Sequence, residues 1–287
     1  SGTNLAAVSA KFGVRNPKEE LNIANALEAM YDTISTGSSL SGNLNFPRRT
    51  ISAYFNSAVT YVFNSFKQAV RDALAAHNIT APVYILKADG GSLPIDTIAA
   101  VPVETVFTGP AATVLGLEAL RSATLGHTVA LDIGGTTTDI SLWKKGEPLM
   151  TKEGVSIRNY PSAVRSFAVT SVGIGGESVV RYNNKNLTVG PERVGPSVAL
   201  GGIEPTLGDA LIVLGKAQYG DEQKAYDGIA QIDSTVDATT MAQRIVNVAV
   251  QVIQEGIDSV VAKENKRPIY VVADIVHPDP FVPAQLV

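Results

Sequence analysis

The chain contains no cysteine, only three histidines and few charges for its 287 residues. Without cysteine there is no disulfide framework, no thiolate nucleophile and no zinc–thiolate site. His77, His127 and His277 lie far apart without a metal-ligand spacing, so each reads as structural or solvated. Charged residues make up 17% of the chain, below the ~25% usual for soluble domains, while 45% are hydrophobic. Such a chain buries much of itself and presents an interface, and disorder is excluded as its main state. Lys plus Arg total 23 against 27 Asp plus Glu, a net charge of −4. That balance argues against a broad polyanion-binding surface, so no nucleic-acid partner is expected. No uninterrupted apolar run approaches the ~18 residues of a membrane helix, and no basic-then-apolar leader opens the chain. No membrane association and a cytoplasmic location are therefore expected. The first residue is Ser1, not Met, which suggests a fragment.

What is present is enough length for one large domain or two modest ones. Asn16-Pro17-Lys18-Glu19 predicts a helix start, with Asn16 as N-cap, Pro17 at the first position and Glu19 reaching back. Leu21, Ala24, Leu27, Tyr31 and Ile34 continue it as a one-sided stripe. Residues 37–45 read as a loop rich in Ser, Gly and Asn. A long helix follows from Ile51 to Ala76, with Ile51, Tyr54, Phe55, Ala58, Val59, Val62, Phe66, Val70 and Leu74 as its core face. Arg48-Arg49 before it could meet an anion, although two arginines beside a loop are usually solvated. From Pro82 the pattern changes to short strands and helices. Strands are predicted at 82–86, 128–133, 139–143 and 167–172, a hairpin turns at Asn183-Asn184, and a final strand spans 269–273. Thr239 to Glu264 reads as the last long helix. Intermixed strands and helices give an α/β class.

Chemistry concentrates in Leu131-Asp132-Ile133-Gly134-Gly135-Thr136-Thr137-Thr138-Asp139. An apolar strand delivers a carboxylate, two glycines let the backbone turn sharply, and hydroxyls and N–H groups follow. Phosphate oxygens need such dense donors and close backbone approach. A Mg²⁺ ion keeps most of its waters and needs one or two nearby carboxylates. Asp132 suits the metal's water shell and Asp139 the orientation of loop or water. Other nucleotide motifs fail: Gly208 to Lys216 lacks the spacing and Ser/Thr of a P-loop, and Gly173-Ile174-Gly175-Gly176 lacks a third dinucleotide glycine. Thr108-Gly109-Pro110 begins a helix whose free N–H groups favour an anion, or is ordinary capping. Residues 173–178 permit close approach to a ligand, or form a tight strand connection. Asp209, after Thr206-Leu207-Gly208, could cap the next helix.

Taken together these blocks resemble the hydantoinase/oxoprolinase family, specifically the central domain of its A-type proteins in the actin-like ATPase (ribonuclease H-like) superfamily. The resemblance runs through Val14-Arg15-Asn16-Pro17, residues 45–49, Ala88-Asp89-Gly90-Gly91, residues 108–112, 132–139 and 173–178, Val189-Gly190-Pro191-Glu192 and residues 204–210. It implies ATP and Mg²⁺ as cofactors, with Gly134, Gly135, Thr136, Thr137 and Thr138 holding phosphates and Asp132 and Asp139 supporting metal and water. Gly109 would line the same cleft, and Gly175, Gly176 and Ser178 would approach nucleotide or substrate. The implied activity is ATP-dependent hydrolysis of a cyclic amide of the hydantoin or 5-oxoproline type. Relatives carboxylate ketones, and a non-catalytic nucleotide-binding or regulatory module is the third reading. Three segments depart from the family pattern. Glu177 replaces a glycine, Ser197-Val198-Ala199-Leu200 replaces a stretch bearing glycine and cysteine, and Ala273 to Pro278 replaces a glycine-rich adenosine loop. The expected organisation is a helical part at 1–80 packing on an ATPase core at 81–287. The N-terminal domain carrying the partner phosphate loop is expected to be absent from the chain. A second, B-type subunit is a further expected partner.

Overall fold

The structure, a computed structural model, describes residues 4–120, 127–263 and 270–275. Glu264, Ile269 and the segment Val276 to Pro278, which includes His277, lie outside the described residues. In chain order, β1 (Leu5–Val8), α1 (Lys18–Leu27), β2 (Thr33–Thr36), α2 (Gly37–Leu40) and α3 (Phe46–Ala76) precede a hairpin of β3 (Tyr84–Leu86) and β4 (Ser92–Pro94). Next come α4 (Ile95–Ile98), α5 (Thr108–Leu120), β5 (His127–Ile133), β6 (Thr138–Lys144) and the short β7 (Glu147–Pro148), β8 (Ser156–Ile157) and β9 (Tyr160–Pro161). Then β10 (Val169–Val172) and the hairpin β11 (Val180–Asn183) and β12 (Asn186–Val189) lead into α6 (Leu207–Val213), α7 (Glu222–Ala230), α8 (Ala238–Lys263) and β13 (Tyr270–Ile275). The chain divides into two compact units, Ser1–Arg121 with Leu149–Ala168, and Ser122–Pro148 with Val169–Val287.

In the first unit, α3 lies against the parallel pair β1–β2. It starts at Phe46, earlier than the apolar spacing predicts, because the Asn45 side chain accepts the Arg48 N–H at 3.3 Å and Pro47 suits the first turn. Its inner face also differs from the predicted one. Arg49, Ser52, Asn56, Ser57 and Thr60 are buried beside Ala53, Phe55 and Phe63, while Tyr54, Val62 and Phe66 face solvent. The polar face is buried because its groups are paired. Ser57 Oγ donates to Ala6 O at 2.6 Å, and Asn56 donates to Ser35 Oγ and Ala100 O while accepting the Val103 N–H.

Four further expectations are corrected here. The first helix ends at Leu27, and Ile34 instead pairs with Ala6 in the β1–β2 ladder. It begins without a capping box: Pro17 holds the N-cap position, and Asn16 Oδ1 accepts the Lys18 N–H at 3.2 Å. Within the predicted loop, Gly37–Leu40 form a single helical turn. Arg49 is fully buried rather than solvated, donating to Asn43 O at 2.6 Å and Ala10 O at 2.9 Å. Arg48 donates to Ser162 O and pairs with Glu153 at 3.1 Å.

The second unit is built on a sheet ordered β10-β6-β5-β13, with β7 pairing β6. β5, β6 and β10 are antiparallel neighbours, and β13 runs parallel to β5. Trp143, the only tryptophan, is buried on β6 with its indole N–H on Ser141 Oγ at 3.0 Å. α8 packs against β6, β10 and β12 and against α6 and α7. Its stripe of Ala242, Ile245 and Ala249 joins Ile174, Leu207 and Ile229 in the main core cluster. By length and composition α8 would cross a membrane, a test that the core helix of a soluble protein also passes. At Gly256 an added Cβ would stand 2.7 Å from Val172 Cγ1 and 2.8 Å from Ile140 Cδ1, so the helix approaches the sheet where there is no side chain. The predicted hairpin at Asn183-Asn184 is present, with Asn184 and Lys185 at positive φ as a two-residue turn requires.

Candidate functional site

The turn between β5 and β6 lies in the second unit. Five buried residues, Thr128 to Leu131 and Ile140, anchor the two strands in the interior. The Gly134 N–H closes the turn on Thr137 O at 2.9 Å. Gly135, Thr136 and Thr137 are exposed at its tip, whereas Thr138 is buried and its hydroxyl donates to Ile174 O at 2.7 Å.

Antiparallel register places Asp132 directly opposite Asp139, and Asp139 directly opposite Ser171. By backbone register, position 274 on β13 lies on the other side of Asp132. The Ser171 hydroxyl donates to Asp139 Oδ1. Burial pushes the Asp139 carboxyl above the usual aspartate range; the Ser171 hydrogen bond opposes this, and the neighbouring Asp132 adds to it. Two carboxylates side by side, one reluctant to ionise, form a site whose charge a divalent cation would relieve. Among the described residues no three His, Cys, Asp or Glu side chains gather as a cation cage. Two neighbouring carboxylates are a donor set compatible with Mg²⁺, which binds through one or two carboxylates and keeps most of its waters.

A second strip of backbone lies against the turn. The Gly176 N–H donates to Gly134 O at 2.9 Å, and the Glu177 N–H to Gly135 O at 2.6 Å. A Cβ on Gly175 would stand 2.5 Å from Gly135 C and 2.6 Å from Gly134 O, so glycine is needed there for contact between the two strips. Gly176 has no heavy atom within 4 Å of an added Cβ. Ser178 is buried and its hydroxyl accepts the Gly175 N–H at 2.9 Å. A third strip follows, with the Leu207 N–H on Ser178 O and the Gly208 N–H on Gly176 O at 2.7 Å. Asp209 is fully buried. It forms a capping box with Thr206 and accepts the N–H groups of Val198 and Ala199, the predicted cap with an added tie.

The expected site residues therefore separate. Asp132, Asp139, Gly134, Gly135, Thr136 and Thr137 lie together around the turn, with Gly175 and Gly176 beneath or beside it. The Thr138 and Ser178 hydroxyls are both engaged with backbone groups in the interior. Gly109 belongs to the first unit, in the opening turn of α5, where the Thr108 hydroxyl donates to Leu86 O and Thr105 O. Absent from the sequence-derived set is Arg193, whose Nε lies 2.5 Å from Glu177 Oε2. Its signal was the carboxylate standing where a glycine was expected, which calls for a cation nearby.

The hydantoinase/oxoprolinase family model matches residues 49–273. The chain is similar to caprolactamase subunit alpha of Pseudomonas jessenii, 27% identical over 221 residues, 73% of this chain and 31% of that protein. It is also similar to the acetophenone carboxylase gamma subunit of Aromatoleum aromaticum, 25% identical over 314 residues, 98% of this chain and 40% of that protein. Among solved structures, nucleotide-free acetone carboxylase superposes with a TM-score of 0.72 at 18% identity, covering 90% of this chain and 40% of that one. The ATP-dependent caprolactamase from Pseudomonas jessenii gives 0.69 at 24% identity, covering 89% and 40%. The chain thus has the actin-like ATPase fold and spans about a third to two fifths of the length of these relatives.

Proposed function

Because the chain belongs to the hydantoinase/oxoprolinase family, we propose that it forms the central part of an ATP-dependent hydrolase opening a cyclic amide of the hydantoin or 5-oxoproline type. The observation that carries this reading is the exposed Gly135–Thr137 tip set between the paired carboxylates Asp132 and Asp139. Mg-ATP bound there would supply a phosphoryl group that activates the ring carbonyl toward water. The N–H groups and hydroxyls of Gly135, Thr136 and Thr137 bind phosphate oxygens, and Asp132 holds the metal's water shell. Asp139, steadied by Ser171, orients water and can carry a proton at a higher pH than an ordinary aspartate. Gly175 keeps the turn braced from below, and Gly176 leaves its flank open. Gly109 leaves the first turn of α5 open in the other unit, with nothing within 4 Å of an added Cβ. Such a site acts by positioning and charge stabilisation.

Relatives carry subunit names, which supports work with a B-type subunit, and the chain spans only 31% and 40% of those relatives, which leaves room for an N-terminal domain bearing the partner loop. A carboxylase acting on a ketone is the second reading, favoured by the acetophenone carboxylase match along 98% of the chain. The test is calorimetric titration of the full-length protein with Mg-ATP, followed by turnover with hydantoin, 5-oxoproline, or a ketone with bicarbonate. Binding heat plus ring opening supports the hydrolase, and turnover only with the ketone supports the carboxylase. Binding heat without any turnover would sink both in favour of a non-catalytic nucleotide-binding module.

A further inference from the structure

Glu177 puts a carboxylate against the turn that is read above as a phosphate site. Its N–H is bonded to Gly135 O, and its Oε2 lies 3.1 Å from where a Cβ on Gly135 would stand. An uncompensated charge there would oppose a nucleotide's phosphates. The carboxylate does not stand alone, because Arg193 Nε meets Oε2 at 2.5 Å. Arg193 arrives on a segment fixed to β11: the Val179 N–H donates to Glu192 O, and the Gly190 N–H to Val179 O, both at 2.9 Å. The adjacent acid, Glu192, is already paired with Arg181 at 3.0 Å, and Arg181 also meets Glu204 at 2.8 Å. Arg193 is thereby left to Glu177. The Glu177 side chain is 26% exposed and that of Arg193 50%, so solvent and salt screen part of the attraction.

We propose that Arg193 is a positioning residue for the nucleotide: it cancels the Glu177 charge beside Gly135 and fixes where that carboxylate sits against the turn. This rests on the reading of residues 134–138 as the phosphate turn.

The test measures Mg-ATP binding to the full-length protein by calorimetry for the wild type, Arg193→Gln, Glu177→Gln and the double variant. Tryptophan fluorescence melts confirm that each is folded. Arg193→Gln should weaken binding roughly tenfold, and more at low ionic strength. Glu177→Gln should bind at least as tightly as the wild type, and the double variant should return to within about twofold of it. Arg193→Lys, which keeps the charge, guards against a folding defect and should retain binding within about threefold. A double variant no better than Arg193→Gln, or an Arg193→Gln protein that binds like the wild type, overturns the proposal while leaving the phosphate turn standing. A wild type that binds no Mg-ATP overturns both.

Discussion

Asp139 is held in its folded state with its charged form disfavoured, chiefly by burial and further by Asp132, against the help of Ser171. A carboxyl whose pKa rises on folding contributes stability that is complete below its unfolded value, near 3.8, and is lost as pH rises through the folded value. Asp139→Asn should therefore raise the melting temperature at pH 7, with the gain shrinking toward zero as pH falls below about 4. The same substitution should weaken Mg-ATP binding, the usual trade between a strained site and its stability. Asp132→Ala tests the other carboxylate. In the full-length protein it should cut nucleotide turnover by at least about a hundredfold while circular dichroism stays unchanged. Persistent turnover would remove Asp132 from the metal site. The pairing of the two aspartates across the turn was legible in the sequence, because each adjoins an apolar strand and together they bracket a glycine turn. Arg193 was not, since only the return of the chain past β12 brings it to Glu177.

At the level of elements, three strips of backbone are laminated through Gly175 and Gly208. Gly175→Ala would press a methyl group into the Gly134–Gly135 backbone, which cannot yield as a side-chain tip can. A loss of about 1–3 kcal/mol in denaturant unfolding is expected, with nucleotide affinity falling too. Gly176→Ala, with open space around it, should change stability by less than about 0.5 kcal/mol. In the first unit, Glu20 accepts the Ala10 and Ser38 N–H groups at 2.7 Å each while fully buried. Burial raises its pKa, but the Ser38 hydroxyl, those N–H groups and Arg49 outweigh it, so the net shift is downward. Its stabilisation is present above the unfolded value of 4.5 and lost as pH falls through the lower folded value. Glu20→Ala should cost about 3 kcal/mol at pH 7 and less in acid, read from urea midpoints. This network was hidden from periodicity. Helical spacing identifies faces by apolar side chains, yet α3 turns its serines, Asn56 and Arg49 inward because carbonyls and strand hydroxyls receive them. Likewise Ile34 fits the helical stripe of α1 by spacing, and only a partner strand decides otherwise.

On the scale of the whole chain, the α/β class, the glycine turn between β5 and β6, the β11–β12 hairpin and the family were legible. Each rests on local punctuation by glycine and asparagine between apolar runs. The assignment of Leu149–Ala168 to the first unit was not, since contacts between residues more than a hundred positions apart, such as Arg48 with Ser162, leave no local trace. Ligand binding adds stability by mass action, about 2.7 kcal/mol at a hundredfold excess over Kd. Trp143 sits on the strand that leaves the turn, shielded from water, with no second indole anywhere in the chain. Its emission therefore reports on one half of the polypeptide alone. Excited at the red edge, where tyrosine is dark, that single fluorophore should show a later melt when Mg-ATP is added, with no label attached and no background to subtract.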